Sequence, residues 1–346
     1  MLVFYLLLLF VPMLAIRKKT DGRTDNILDS RATTCIKGVL CFYVLLHNLG
    51  LDYEGNTPIM ETVCEHTGGI GVGVFFFLSA FGIIRSYQKH GNRYLLKLVC
   101  VNVVKLYLIS VGINLLTYFC FFRGSLETTD ALLRIFNLDV FNDFNRMNRH
   151  GWYISTIIGM YLIFAIVFYL CSKLKTDKKF IVAGIVLAAI SVAFRLGAWI
   201  ADKGGMYTRE LPCFALGCLY AIFYDKCNEF AHKRFWLCFW TLFATFWFGF
   251  FIWEPLGAYS ACALLIVLSQ KITYENPVTY FCGKMCIGVY LFLHFSSIVM
   301  QPFIANEYLW VLTNSGLILL FAVALYGIEY GVAWMIKRLK KNGATK

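Results

Sequence analysis

The sequence predicts an all-α integral membrane protein, a polytopic bundle of about eleven transmembrane helices. Three observations carry that expectation. Of 346 residues, 59% are hydrophobic and 15% charged, against about 25% charged in soluble domains. Apolar runs recur from one end to the other, most of them approaching the roughly 17 to 25 residues that a helix needs to cross hydrocarbon. The short polar clusters between them alternate in charge. A large soluble domain is excluded.

The runs lie near 2–16, 36–51, 69–86, 98–122, 152–172, 180–201, 211–224, 235–253, 256–270, 285–303 and 309–336. Arg17, Lys18, Lys19 and Arg23 follow the first, whereas Asp52, Glu54, Glu61 and Glu65 fill the next connector without a Lys or Arg. Basic connectors stay on the cytoplasmic side. Arg85, Lys89, Arg93 and Lys97 then fall inside, as do Lys173 to Lys179, Lys226, Lys233, Arg234 and the C-terminal Lys337 to Lys346. The expected orientation is N-terminus outside and C-terminus cytoplasmic, in a multi-pass cell-membrane protein. The first run has no basic stretch before it and no small-residue cleavage site after it, so it reads as an uncleaved helix. Three segments result: an N-terminal helix and basic linker over 1–30, a membrane domain over 31–338, and a basic tail over 339–346.

The net charge of +12 sits in small groups at span ends, which topology explains without a nucleic-acid partner. Thirteen cysteines lie largely within apolar runs, where a thiol acts as a small hydrophobe. No cluster has metal-ligand spacing, so no metal is expected. The longest connector, 123–151, carries Phe136, Phe141 and Phe144 among polar residues. It reads equally as a lid over the outer mouth or as an interfacial helix held by aromatics.

Polar residues inside spans are few, and each costs roughly 2.5 to 3.5 kcal/mol on insertion scales. His47, in CIKGVLCFYVLLHNLG, lies about 16 Å along its helix from Ile36, past the midplane, with Asn48 beside it. Lys37 is ten residues earlier, roughly 80° around the helix, and its long side chain can reach the same cavity. A neutral imidazole can take a proton from a hydroxyl, and a lysine at an inner mouth suits phosphates. A satisfied helix-helix hydrogen bond is the competing reading of His47. Gly69, Gly71 and Gly73 permit close approach in the third span. Trp152 and Tyr153 sit at an interface, His294 lies within the tenth span, and Arg195 is well inside the sixth. Anchoring, hydrogen bonding and snorkelling are the ordinary roles of such residues.

Six segments in order resemble the membrane-bound acyltransferase-3 family, which includes bacterial O-acetyltransferases of surface polysaccharides. They are IKGVLCFYVLLHNLG, GVGVFFFLSAFGI, YQKHGNRYLLKLVCVNVVKLY, HGWYISTIIGMYLIF, FALGCLYA and FCGKMCIGVYLFLHF, running from about 30 to 335. The resemblance implies a ten-helix core, here with one extra N-terminal span. It implies transfer of an acyl group, most often acetyl from cytoplasmic acetyl-CoA, to a hydroxyl of a surface polysaccharide or lipid-linked glycan. His47 matches the family's catalytic histidine, and Arg93 its basic cytoplasmic stretch. Lys37, Arg85, Arg93 and Lys97 would then receive acetyl-CoA, with Asn48, Trp152, Tyr153 and His294 around the acceptor. Expected partners are membrane lipid, the acyl-CoA, the glycan acceptor and other polysaccharide-assembly proteins.

This sequence departs from the family pattern at three places. Ile36 stands where an arginine is common, Ala80 ends the Leu78-Ser79-Ala80 triplet in place of glycine, and Gly288 replaces a common serine. A transporter or flippase using the same cavity without chemistry is the alternative function, and an inactive relative a third.

Overall fold

The computed structural model describes residues 16–18, 28–51, 58–138, 151–202, 205–300 and 307–343. The elements are β1 (Ile16–Lys18), α1 (Ser30–Leu51), α2 (Pro58–His90), α3 (Asn92–Phe122), α4 (Thr128–Ile135), α5 (Gly151–Ser172), α6 (Lys179–Ala201) and α7 (Gly205–Thr208). They continue with α8 (Leu211–Ile222), α9 (Tyr224–Lys233), α10 (Phe235–Ile252), α11 (Glu254–Leu268), β2 (Ile272–Tyr274), α12 (Pro277–Met300) and α13 (Glu307–Gly343). Seven helices among the described residues are long and apolar enough to cross a membrane. The shorter apolar α8 and α11, together with α1, account for three more of the expected spans. Among the described residues, each expected run from 36–51 onward thus has one helix over most of its length, and residues 2–15 of the first run lie outside the described residues.

Local chemistry sets the helix ends. The Asp29 carboxylate accepts the Ala32 N–H at 2.7 Å and starts α1, and the Asn276 side chain accepts the Val278 N–H at 2.8 Å ahead of Pro277 to start α12. α3 stays continuous through two π-helical passages, Leu98–Val103 and Tyr118–Phe122. α13 runs on to Gly343, past the expected start of a tail at 339. Its lysines and arginine are good helix formers and favour a helix C-terminus.

α2 is the centre. Its residues from Thr67 to Phe81 are all buried, because α1, α8 and α11 pack around it. α3, α6, α10 and α13 form the outside, with Leu108, Ile200, Trp236, Trp240, Leu320 and Ile328 exposed. An apolar belt of that extent is untenable in water and ordinary in lipid.

Two features are tertiary. β1 pairs antiparallel with β2, Ile16 opposite Tyr274, tying the basic linker to the connector between α11 and α12. In the 123–151 connector, α4 docks on α3 through Ala131 and Ile135 against Val111, while the Asn114 amide donates to the carbonyls of Arg134 and Ile135, both at 3.1 Å. The described part is therefore a helix held to α3, and Phe141 and Phe144 lie outside the described residues.

α1 and α12 run in the same direction and touch through backbone. A Cβ at Gly38 would overlap the Thr279 carbonyl oxygen, and one at Gly283 would overlap that of Thr34. Small residues at such a crossing let helices gain dispersion contacts that larger side chains forbid. Gly283→Ala is expected to lower the melting temperature in detergent micelles, corresponding to about 1–3 kcal/mol of overpacking. Gly82→Ala, where a Cβ meets nothing within 4 Å, is expected to leave it unchanged or raised.

Candidate functional site

The crossing of α1 and α12 opens a central cavity of about 100 Å³. α1 contributes Lys37, Cys41 and Val44, successive positions on one helical face. α2 contributes Val72, Phe75 and Ser79, α3 contributes Leu106, α5 contributes Tyr153 and Tyr161, and α12 contributes Cys286 and Tyr290. Ser79 lines the cavity together with both tyrosines from α5, and the Tyr153 ring packs against Phe76 and Tyr290, each with centroids 5.1 Å away. The walls are apolar, with a cation at one end and three phenols and a serine along the sides.

Lys37 reaches this cavity although Ile36, its neighbour, is 4% exposed and packed in the core. The charge one position along from the family's arginine is therefore the one that faces the opening. Gly288 abuts the Ala322 backbone, which leaves no room for the serine common in relatives. Ala80 packs against Gly217 on α8, so the methyl added at one position is accommodated by the glycine opposite.

His47 lies one turn beyond Val44 on α1, outside the cavity lining. Its Nδ1 is 2.7 Å from the Cys64 carbonyl oxygen on α2. A carbonyl can only accept, so Nδ1 carries the proton, and a neutral ring in this tautomer has its lone pair on Nε2. The ring lies against α2 at Gly68, where a Cβ would collide with it. The ring thus makes a helix-helix hydrogen bond, and that bond sets its tautomer.

The other expected site residues divide. Tyr153 lines the cavity, whereas Trp152 is buried in the core beside it. Trp152 is buried and Tyr153 half-buried at the start of α5. Asn48 donates to the Val44 carbonyl of its own helix at 2.7 Å. His294 is half-buried, one turn beyond Tyr290 on α12 and outside the cavity lining. Arg85, Arg93 and Lys97 are exposed around the α2–α3 junction; Arg85 lies over the Tyr224 ring at 4.5 Å and bonds Gln88 at 2.9 Å. Arg195 is half-buried near Gly205 at the end of α6.

Sequence reasoning missed a second polar cluster. Arg209 donates through Nε to Glu210 and through Nη1 to Glu254 at 3.2 Å. Burial pushes the Glu210 carboxyl up to about 7, with the Arg209 guanidinium opposing the shift. These residues are 45 positions apart at connector ends, and only the packing of α8 and α11 on α2 brings them together. Ser79, Tyr161 and Tyr290 were missed for a related reason: spacing on one helix does not say which polar side chains meet across several.

All thirteen cysteines are free, and among the described residues no group of three or more His, Cys, Asp and Glu side chains could hold a metal ion.

A family model described as an acyltransferase domain, that of the acyltransferase-3 family, matches residues 32–331. No curated protein and no solved structure matches the chain. With the match spanning most of a bundle of apolar helices, the chain belongs to the acyltransferase-3 family and is a membrane acyltransferase.

Proposed function

We propose that this protein moves a short acyl group, acetyl in the simplest case, from a cytoplasmic acyl-CoA to a hydroxyl of a surface or secreted polysaccharide or a lipid-linked glycan. It does so in the cell membrane, with the C-terminus and the Lys37 end of the cavity facing the cytoplasm. The observation that carries the reading is His47, whose Nδ1 is committed to the Cys64 carbonyl at 2.7 Å. A neutral imidazole with its proton on Nδ1 has its basic lone pair on Nε2, the form that accepts a proton from an attacking hydroxyl.

The cavity supports a small acyl group. At about 100 Å³ it has room for several waters, and its largely apolar wall suits an acyl chain with its thioester. Lys37 at one end offers a point charge to the donor's phosphates, and Arg85, Arg93 and Lys97 form an exposed basic surface at the α2–α3 junction. The acyl carbon would meet the acceptor one turn along α1 from Val44, where His47 takes the hydroxyl proton and coenzyme A leaves as the thiol. The remaining partners, membrane lipid and other polysaccharide-assembly proteins, follow from where that acceptor is made.

Purified protein in lipid nanodiscs, given labelled acetyl-CoA and surface glycan from the producing cell, tests this. His47→Ala is expected to cut transfer by about 10²- to 10⁴-fold, the usual contribution of a positioned base. Lys37→Met is expected to raise the KM for acetyl-CoA by about tenfold or more, the loss of one hydrogen bond to a charged group, with a smaller change in kcat. Full transfer by His47→Ala, or glycan movement without labelled acetate, would remove acyl transfer through His47 in favour of transport.

A further inference from the structure

His47 and the Arg209 cluster lie against adjacent residues of α2. The imidazole abuts Gly68, and the Glu254 carboxylate and Arg209 guanidinium abut Gly69. Successive positions of a helix face about 100° apart, so the two groups sit on neighbouring faces of one turn of α2. Side chains at either glycine would separate them from the helix they share.

The cluster is incompletely satisfied. Glu210 is 4% exposed, and among the described residues its Oε2 is buried without a hydrogen-bond partner, as is Oε1 of Glu254. Two orphaned carboxylate oxygens in apolar surroundings carry a cost that a hydrogen donor would remove. Both carboxylates line a small cavity of about 10 Å³ with Gly69, Arg209, Pro255, Ala258 and Tyr259. That volume is about the least that admits one water-sized group.

We infer that this cavity is a binding subsite for the acceptor, receiving a hydroxyl of a neutral saccharide beside the hydroxyl that His47 deprotonates. A hydroxyl donates one hydrogen and accepts through its oxygen, matching a carboxylate oxygen on one side and an Arg209 N–H on the other. A vicinal hydroxyl at the cavity mouth supplies the donor for Glu254 Oε1. The Arg209 guanidinium is already engaged by both Glu210 and Glu254, so the cavity favours a neutral hydroxyl over a phosphate or carboxylate ligand. The subsite deepens the acyl-transfer reading and rests on it for its place next to the chemistry, but saccharide binding is measurable without any acyl donor.

The experiment uses full-length protein in nanodiscs, titrated with glucose, galactose, N-acetylglucosamine and sucrose while the melting temperature is followed. At least one saccharide is expected to raise it saturably, unlike the unsaturable rise that excluded osmolytes give. In Glu210→Gln the apparent Kd is expected to weaken by about tenfold or more, while stabilisation by acetyl-CoA is kept. Glu254→Gln gives the same reading should Glu210→Gln not fold. No saturable saccharide effect on the wild type, or equal affinity in the variants, overturns the subsite. Saccharide binding that depends on Glu210 without any acetyl transfer overturns the acyl-transfer reading and leaves the subsite standing.

Discussion

Two helices in hydrocarbon gain nothing by hiding apolar side chains from water, so the contact between α1 and α12 depends on how closely their backbones approach. Gly38 and Gly283 set that distance, each lying against a carbonyl of the other helix. The crossing fixes the register of two parallel helices, and with it which face of each looks into the bundle. Lys37, Cys41 and Val44 turn toward Cys286 and Tyr290 across the cavity. His47, one turn further along α1, is carried to the Cys64 carbonyl on α2. The position of the imidazole thus depends both on its contact with α2 and on a glycine contact about two and a half turns away.

The second constraint is that α2 is surrounded. A helix buried on all sides presents different neighbours to each face, and here successive residues serve different sites: Gly68 meets His47, Gly69 meets Arg209 and Glu254, and Ser79 lines the central cavity with Tyr153 and Tyr161. In the proposed reaction the donor enters from the Lys37 end, and the acceptor occupies the turn of α2 between the imidazole and the carboxylates. α2 would then be the wall common to both substrates, which gives its run of small residues at Gly68, Gly69, Gly71 and Gly73 a use beyond helix packing.

Much of the architecture was legible in the sequence because a transmembrane span is a local property, an apolar run bounded by polar residues, and among the described residues the expected runs from 36–51 to 309–336 each have one helix over most of their length. Lys37 was legible in part: helical geometry put it 80° from His47, and the structure shows it lining the cavity while His47 does not. The departures at Ile36, Ala80 and Gly288 all lie in packed surroundings, Ile36 buried in the core, Ala80 against Gly217 and Gly288 against Ala322. What stayed hidden depends on contacts distant in sequence. The pairing of Ile16–Lys18 with Ile272–Tyr274, and the meeting of Arg209 and Glu210 with Glu254, have no local signature.

The claim on which the rest turns is that His47 acts as a base in acyl transfer to a glycan. The most direct measurement is the acetyl content of the extracellular glycan, by proton NMR, from cells expressing the wild type, His47→Ala or no protein. The account predicts acetyl signals that require the protein and disappear with His47→Ala at equal membrane expression; three indistinguishable glycans would contradict it.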